Sequence, residues 1–116
     1  MSNRNRTQGH KFERDIVNEL KEMGFDVSTS RNESRKMDAA KVDIVGNVPF
    51  HIQCKNSTVK PNYHELLNEM PDDKIPVIFH RLTHKADVRF ITDGDYVIIK
   101  KEDFYRLITG TLDSNY

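Results

Sequence analysis

A chain of 116 residues, 36% hydrophobic and 31% charged, has room for one domain around one core. Eighteen Lys and Arg balance 18 Asp and Glu, which excludes a uniformly basic coat for nucleic acid, and no run approaches the ~20 apolar residues of a membrane helix. The opening MSNRNRTQG lacks the apolar segment of a signal peptide, and Cys54, the single cysteine, has no internal partner, so a reducing cytoplasm without membrane attachment is the expected setting.

In chain order, residues 1–9 are polar and without period, as in a mobile arm. KFERDIVNELKEMGF then places Phe12, Ile16, Val17, Leu20 and Met23 at helical spacing, with Gly24 positioned to stop the helix. FDVSTS predicts a first strand. RNESRKMDAAK has almost no apolar period and is expected as a surface loop. VDIVG and PFHIQCK predict two strands joined by GNVP, a connection suited to a hairpin. PNYHELLNEM predicts a helix begun by its proline, with Tyr63, Leu66, Leu67 and Met70 on one face. KIPVIFHRL is a strand-length apolar run buried on both sides. DVRFIT and DYVIIK predict strands separated by a turn at DGD, and KEDFYRLITG a closing helix ended by glycine. This order predicts an α/β domain, a mixed sheet flanked by helices. Charge is uneven along it: residues 1–60 hold 11 Lys and Arg against 8 Asp and Glu, and the remainder holds 7 against 10.

The chemistry concentrates in the paired strands. Side chains repeat every two residues, so Phe50, Ile52 and Cys54 share one face of PFHIQCK while His51, Gln53 and Lys55 share the other. A hairpin brings Asp43 alongside Gln53, which assembles a carboxylate, an amide oxygen and an ammonium on a half-buried sheet. Such a group is costly unless it pairs or binds something. Hard oxygen donors suit Mg²⁺, with Mn²⁺ as a substitute, and the carbonyl of Ile52 or Cys54 is placed to complete the set. Glu13, flanking the apolar stripe of the first helix, is the best further carboxylate, ahead of Asp15 and Glu19. His80 and His84 lack cysteine partners and do not form a zinc pattern.

GHKFE on an opening helix, then VDIVG, nine residues and QCK, resembles the PD-(D/E)XK nuclease superfamily. Within it, the likeness is to archaeal-type Holliday junction resolvases and their phage relatives, and it runs from about Gly9 to about Ile108. The resemblance implies a restriction-endonuclease-like fold with an α-β-β-β-α-β core, and a Mg²⁺-dependent endonuclease that acts on branched DNA in recombination or repair. It implies Glu13, Asp43 and Gln53 around the metal and Lys55 as the catalytic lysine. It also implies a homodimer, with the apolar region after Asn62 as the dimer surface, and a prokaryotic cell or phage-infected host as the setting. STSR (Ser28, Thr29, Ser30, Arg31) occupies the place of the family's hydroxyl-and-basic stretch. Val42 stands where a proline often precedes the aspartate, and Gln53 stands where an acid is usual. Phosphate contacts are then expected from Ser30, Arg31, Arg35, Lys36 and Lys41, with Arg4, Arg6 and Lys11 adding more from the N-terminal side. Arg81, Lys85 and Arg89 are candidates to extend that surface.

Overall fold

The computed structural model describes residues 3–110, and side chains from residue 7 onward. Helix α1 spans Asn3–Glu22, so Asn3 to Gly9 are helical rather than a mobile arm. It buries Phe12, Ile16 and Val17, residues that fall on one helical face. Met23, expected on that face, is 70% exposed, because the helix ends before it and Gly24, at φ 99°, turns the chain away.

Strand β1 (Val27–Thr29) follows, then α2 (Ser30–Glu33) and α3 (Arg35–Ala39) in place of the expected surface loop. Ser34 explains part of that difference. Its hydroxyl accepts from the Met37 N–H at 3.2 Å and caps α3, a local device that apolar periodicity does not register. β2 (Ile44–Gly46) and β3 (Phe50–Ser57) form the expected antiparallel pair. Gly46 sits at φ 148°, where a Cβ would lie 2.1 Å from the Asp26 carbonyl oxygen.

α4 (Tyr63–Glu69) crosses over to β4 (Ile75–Ala86), which runs parallel to β3. The α4 cap is Asn62, whose side chain accepts from the Glu65 N–H at 3.3 Å, so Pro61 precedes the cap instead of opening the helix. Leu67 and Met70 are buried, but Tyr63 is 58% exposed and does not join their face. β5 spans Arg89–Ile99 without interruption. The expected turn at DGD is instead an irregularity in the β4–β5 ladder: Leu82 pairs Gly94 and Thr83 pairs Thr92, leaving Asp93 as the extra residue. The reversal falls at Asp87 and Val88, with Asp87 at φ 56°. α5 (Lys101–Thr109) is the last element of the described residues, and Gly110 in the left-handed conformation caps it.

The result is an α/β fold built on a five-stranded mixed sheet in the order β1-β2-β3-β4-β5. Consecutive residues in one strand belong to different apolar clusters, so both faces are covered. Phe12, Ile16, Ile44, Ile52 and Val77 pack on the α1 side. Val42, Leu67, Met70 and Ile78 pack on the α4 side, with Met37 of α3 against them. Beyond Ser57, where β3 ends, β4 and β5 continue together as a two-stranded ribbon. No described helix is long and apolar enough to cross a membrane.

Candidate active site

Asp43 precedes β2, and its backbone is pinned from both sides. Its N–H donates to the Ile52 carbonyl at 2.8 Å, and its carbonyl accepts from the Ser30 N–H at 2.8 Å. Its side chain is pinned too: Oδ2 accepts from the Cys54 N–H at 2.8 Å. With Ile44 paired to Ile52, the register sets Asp43 across from Gln53. The hairpin juxtaposition expected from the sequence is therefore present.

Glu13 and Lys55 both act on Asp43 here. Burial raises the Asp43 carboxyl to about 6, from an ordinary 3.8; the Cys54 N–H opposes this, Glu13 adds to it and Lys55 opposes it. The Cys54 thiol is also pushed up, first by burial and then by the Asp43 and Glu13 charges. Glu13 of α1 and Lys55 of β3 are thus each within electrostatic reach of Asp43 at the entry to β2. Glu13 is itself buried, and Arg31 Nε donates to its Oε1 at 3.1 Å. Among the described residues, Asp43 Oδ1 and Glu13 Oε2 accept no hydrogen bond, and half-buried Lys55 has no ion-pair partner.

Gln53 is 4% exposed, and its Oε1 is buried with no hydrogen-bond partner. Leaving such an acceptor unsatisfied costs about 1–3 kcal/mol. The hydroxyls of Thr29 and Ser30, on the strand and helix beside Asp43, are orphaned in the same way. Among the described residues, no three His, Cys, Asp or Glu side chains gather as a metal-holding group. Taken as candidate donors, the Glu13 and Asp43 carboxylates and the unpaired Gln53 amide oxygen are an all-oxygen set. That set fits Mg²⁺ or Mn²⁺ better than a softer metal. The Ile52 carbonyl already accepts from Asp43, which leaves that of Cys54 as the less committed backbone oxygen.

The expected phosphate-gripping residues divide. Arg35, Lys36 and Lys41 are exposed on α3 and just after it. Arg31 is exposed but tied to Glu13, so it steadies the site. Ser30 is fully buried and presents no surface to a phosphate backbone, contrary to expectation. Lys11 is exposed and paired with Asp15 at 3.2 Å. The side chains of Arg4 and Arg6 lie outside the described residues. Arg81, a candidate DNA contact by sequence, is a clamp: it bonds Asp95 at 2.8 and 3.0 Å and Asp15 at 3.2 Å, and it lies 4.5 Å above the Phe12 ring.

Two neighbours escaped the sequence reading. His80, paired in register with Lys55, is buried 3.0 Å from Ser57 Oγ. Since that hydroxyl donates to the Val59 carbonyl at 2.7 Å, the His80 Nε2–H is the donor in their contact. The other is a cleft of about 660 Å³ at the end of β3. A second cleft, about 430 Å³, opens between α4 and α5, and neither cleft is lined by Glu13, Asp43, Gln53 or Lys55. Set against family models, curated proteins and solved structures, the chain matches none.

Proposed function

We propose that this chain is a metal-dependent DNA endonuclease of the PD-(D/E)XK type. Its substrate is branched DNA such as the four-way junction, and its working unit is a homodimer. The observation that carries the reading is that Glu13 and Lys55 both act on Asp43 where β2 meets β3, with Gln53 across from Asp43 in register and its amide oxygen buried and unpaired.

Glu13, Asp43 and Gln53 would hold the Mg²⁺. When bound, the ion supplies polarisation of the scissile phosphate and a water acidic enough to attack it. The chain's own groups do the rest. The Cys54 N–H fixes one oxygen of Asp43, and Arg31 fixes one of Glu13, so each carboxylate presents its other oxygen in a set orientation. Lys55 has no acid in ion-pair contact among the described residues, which suits its ammonium to a phosphate oxygen on which charge accumulates. Arg35, Lys36 and Lys41 offer exposed cations for the neighbouring backbone. The exposed Tyr96, Val97, Phe104, Tyr105 and Ile108 of β5 and α5 supply apolar area for a second copy.

Gln53 favours one other reading. With an amide in place of an acid, the site has one negative charge fewer to hold a cation, as in a DNA-binding module that no longer cuts. One experiment separates the two. Labelled four-way junction, linear duplex and single-stranded DNA are incubated with protein and Mg²⁺, Mn²⁺ or EDTA, alongside Lys55→Ala and Asp43→Asn. Paired symmetric nicks at the junction, lost in EDTA and in both variants, are the expected result. Equal cutting of every substrate removes the junction preference, and binding without cutting in any metal leaves the DNA-binding module.

A further inference from the structure

β5 is an edge strand: among the described residues, the order β1-β2-β3-β4-β5 leaves it paired with β4 alone. From Ile91 to Ile99, its outward N–H and C=O groups meet no other backbone among those residues. The opposite edge, β1, is three residues long, whereas β5 runs for 11 without a proline. A long edge of this kind is a template for another strand. Its flanking side chains are equally bare: Tyr96 and Val97, on opposite faces, are each 55% exposed.

The sequence of the edge indicates which strand fits it. Asp93-Gly94-Asp95 is followed by Tyr96-Val97-Ile98-Ile99 and then by Lys100-Lys101. Acids, an apolar run and bases in that order are complementary to the same order reversed. The bulge at Asp93 and the start of α5 at Lys101 bound the regular stretch. A two-fold axis normal to the sheet must pass through a residue that faces its own copy, because paired side chains share a face. Val97 stands at the middle of the stretch. With the axis there, Val97 meets Val97 of the second copy, Tyr96 meets Ile98, and Asp93 comes to Lys101. Asp93 has an oxygen for this contact, since His84 holds the other at 2.6 Å.

We infer that a second copy of this chain docks edge to edge along β5, antiparallel about a two-fold at Val97, so that one sheet runs through both protomers. Such an isologous contact closes on itself, whereas β5 against β1 would not. The inference deepens the proposed homodimer, and its consequence for cutting rests on the nuclease reading. Lys55 is in register with His80, and His80 with Tyr96, so the three share a face. The two-fold preserves that face. At about 4.8 Å per strand, the two Lys55 residues stand about 25 Å apart on one side of the joined sheet. Both candidate sites then look toward one substrate, as paired cuts in two strands require.

Sedimentation velocity of the full chain in EDTA, without DNA, reads the oligomer independently of any cleavage. The variants are Val97→Lys, Lys101→Glu and the double variant Asp93→Lys with Lys101→Glu, each checked for fold by circular dichroism. Wild type is expected as a dimer. Val97→Lys sets like charges at the axis and should raise the dimer dissociation constant roughly 100-fold. Lys101→Glu should raise it roughly tenfold, and adding Asp93→Lys should restore it. A dimer that survives Val97→Lys overturns the inference, as does a Lys101→Glu defect that Asp93→Lys fails to rescue. A monomer at every concentration overturns it too, and DNA cleavage by that monomer keeps the nuclease. A dimer that shows the rescue but cuts no DNA in any metal keeps the joined sheet and removes the nuclease.

Discussion

Replacing Asp43 by asparagine should make the metal-free protein more stable at neutral pH while removing its activity. The carboxyl titrates near 3.8 in an unfolded chain and at about 6 in the folded one, chiefly because burial penalises its charge. The folded state therefore binds the proton more tightly. The stability this contributes is fully present below about pH 4, is lost as pH rises through about 6, and is absent above. The interval corresponds to about 3 kcal/mol, which at pH 7.5 appears as a penalty on the folded wild type. Asparagine is nearly isosteric, carries no charge and retains an oxygen to accept from the Cys54 N–H, so it escapes that penalty at all pH values.

The assay is urea unfolding in EDTA at intervals from pH 4 to 8, and the quantity of interest is the difference between variant and wild type, in which other titrating groups cancel. The difference should be near zero at the acid end and reach about 2–3 kcal/mol in favour of the variant by pH 7.5. Adding Mg²⁺ should then stabilise wild type by mass action and leave the variant nearly unmoved. Two results refute the reasoning. One is a variant less stable than wild type at pH 7.5. The other is a pair of stability curves that run parallel from pH 4 to 7, which means that the carboxylate is not held at a cost.

Lys55→Ala should lower cleavage at least 100-fold while leaving DNA binding in EDTA and the unfolding midpoint close to wild type, as read by gel shift and thermal melting. Arg81→Ala removes three hydrogen bonds and the cover over Phe12 and should destabilise by about 2 kcal/mol, measured by urea unfolding. Gly46→Ala forces a Cβ against the Asp26 carbonyl at an unfavourable φ and should cost more than about 2 kcal/mol or prevent soluble expression. Gln53→Glu should bind Mn²⁺ about tenfold more tightly by calorimetry and be less stable than wild type in EDTA, because it adds a buried carboxylate beside two others.

The elements whose evidence is local periodicity were legible in the chain: α1 through Phe12, Ile16 and Val17, the β2–β3 pair through its two-residue alternation, and α5 through its terminal glycine. The side on which Gln53 and Lys55 stand followed from alternation alone, and so did the placement of Asp43 opposite Gln53. Features set by distant partners were not legible. DGD has the composition of a turn, but pairing with the full length of β4 stretches it into a bulge, since ladder hydrogen bonds outweigh a local turn preference. Arg81 was read as a surface cation because nothing near it in sequence reveals Asp15, 66 residues away. Arg31 belongs with Glu13 for the same reason, across 18 residues. The buried Ser30 hydroxyl escaped because STSR has the composition of an exposed loop, while the Ser30 N–H is drawn inward to the Asp43 carbonyl.

The amide at position 53 has a physical rationale that the missing charge alone conceals. The charged groups around Asp43 are two carboxylates, Glu13 and Asp43 itself, set against two cations, Arg31 on Glu13 and Lys55. Without a metal these charges cancel, and the Asp43 carboxyl still rises to about 6. An acid at position 53 would leave a net negative charge in a poorly solvated place, raise Asp43 further and make the empty site depend on a bound cation for its stability. Glutamine keeps the oxygen and omits the charge, so the fold tolerates the empty site and the ion binds more weakly. On the proposed nuclease reading, cleavage then follows the free divalent-ion concentration, while the fold leans less on the bound ion than it would with an acid at position 53.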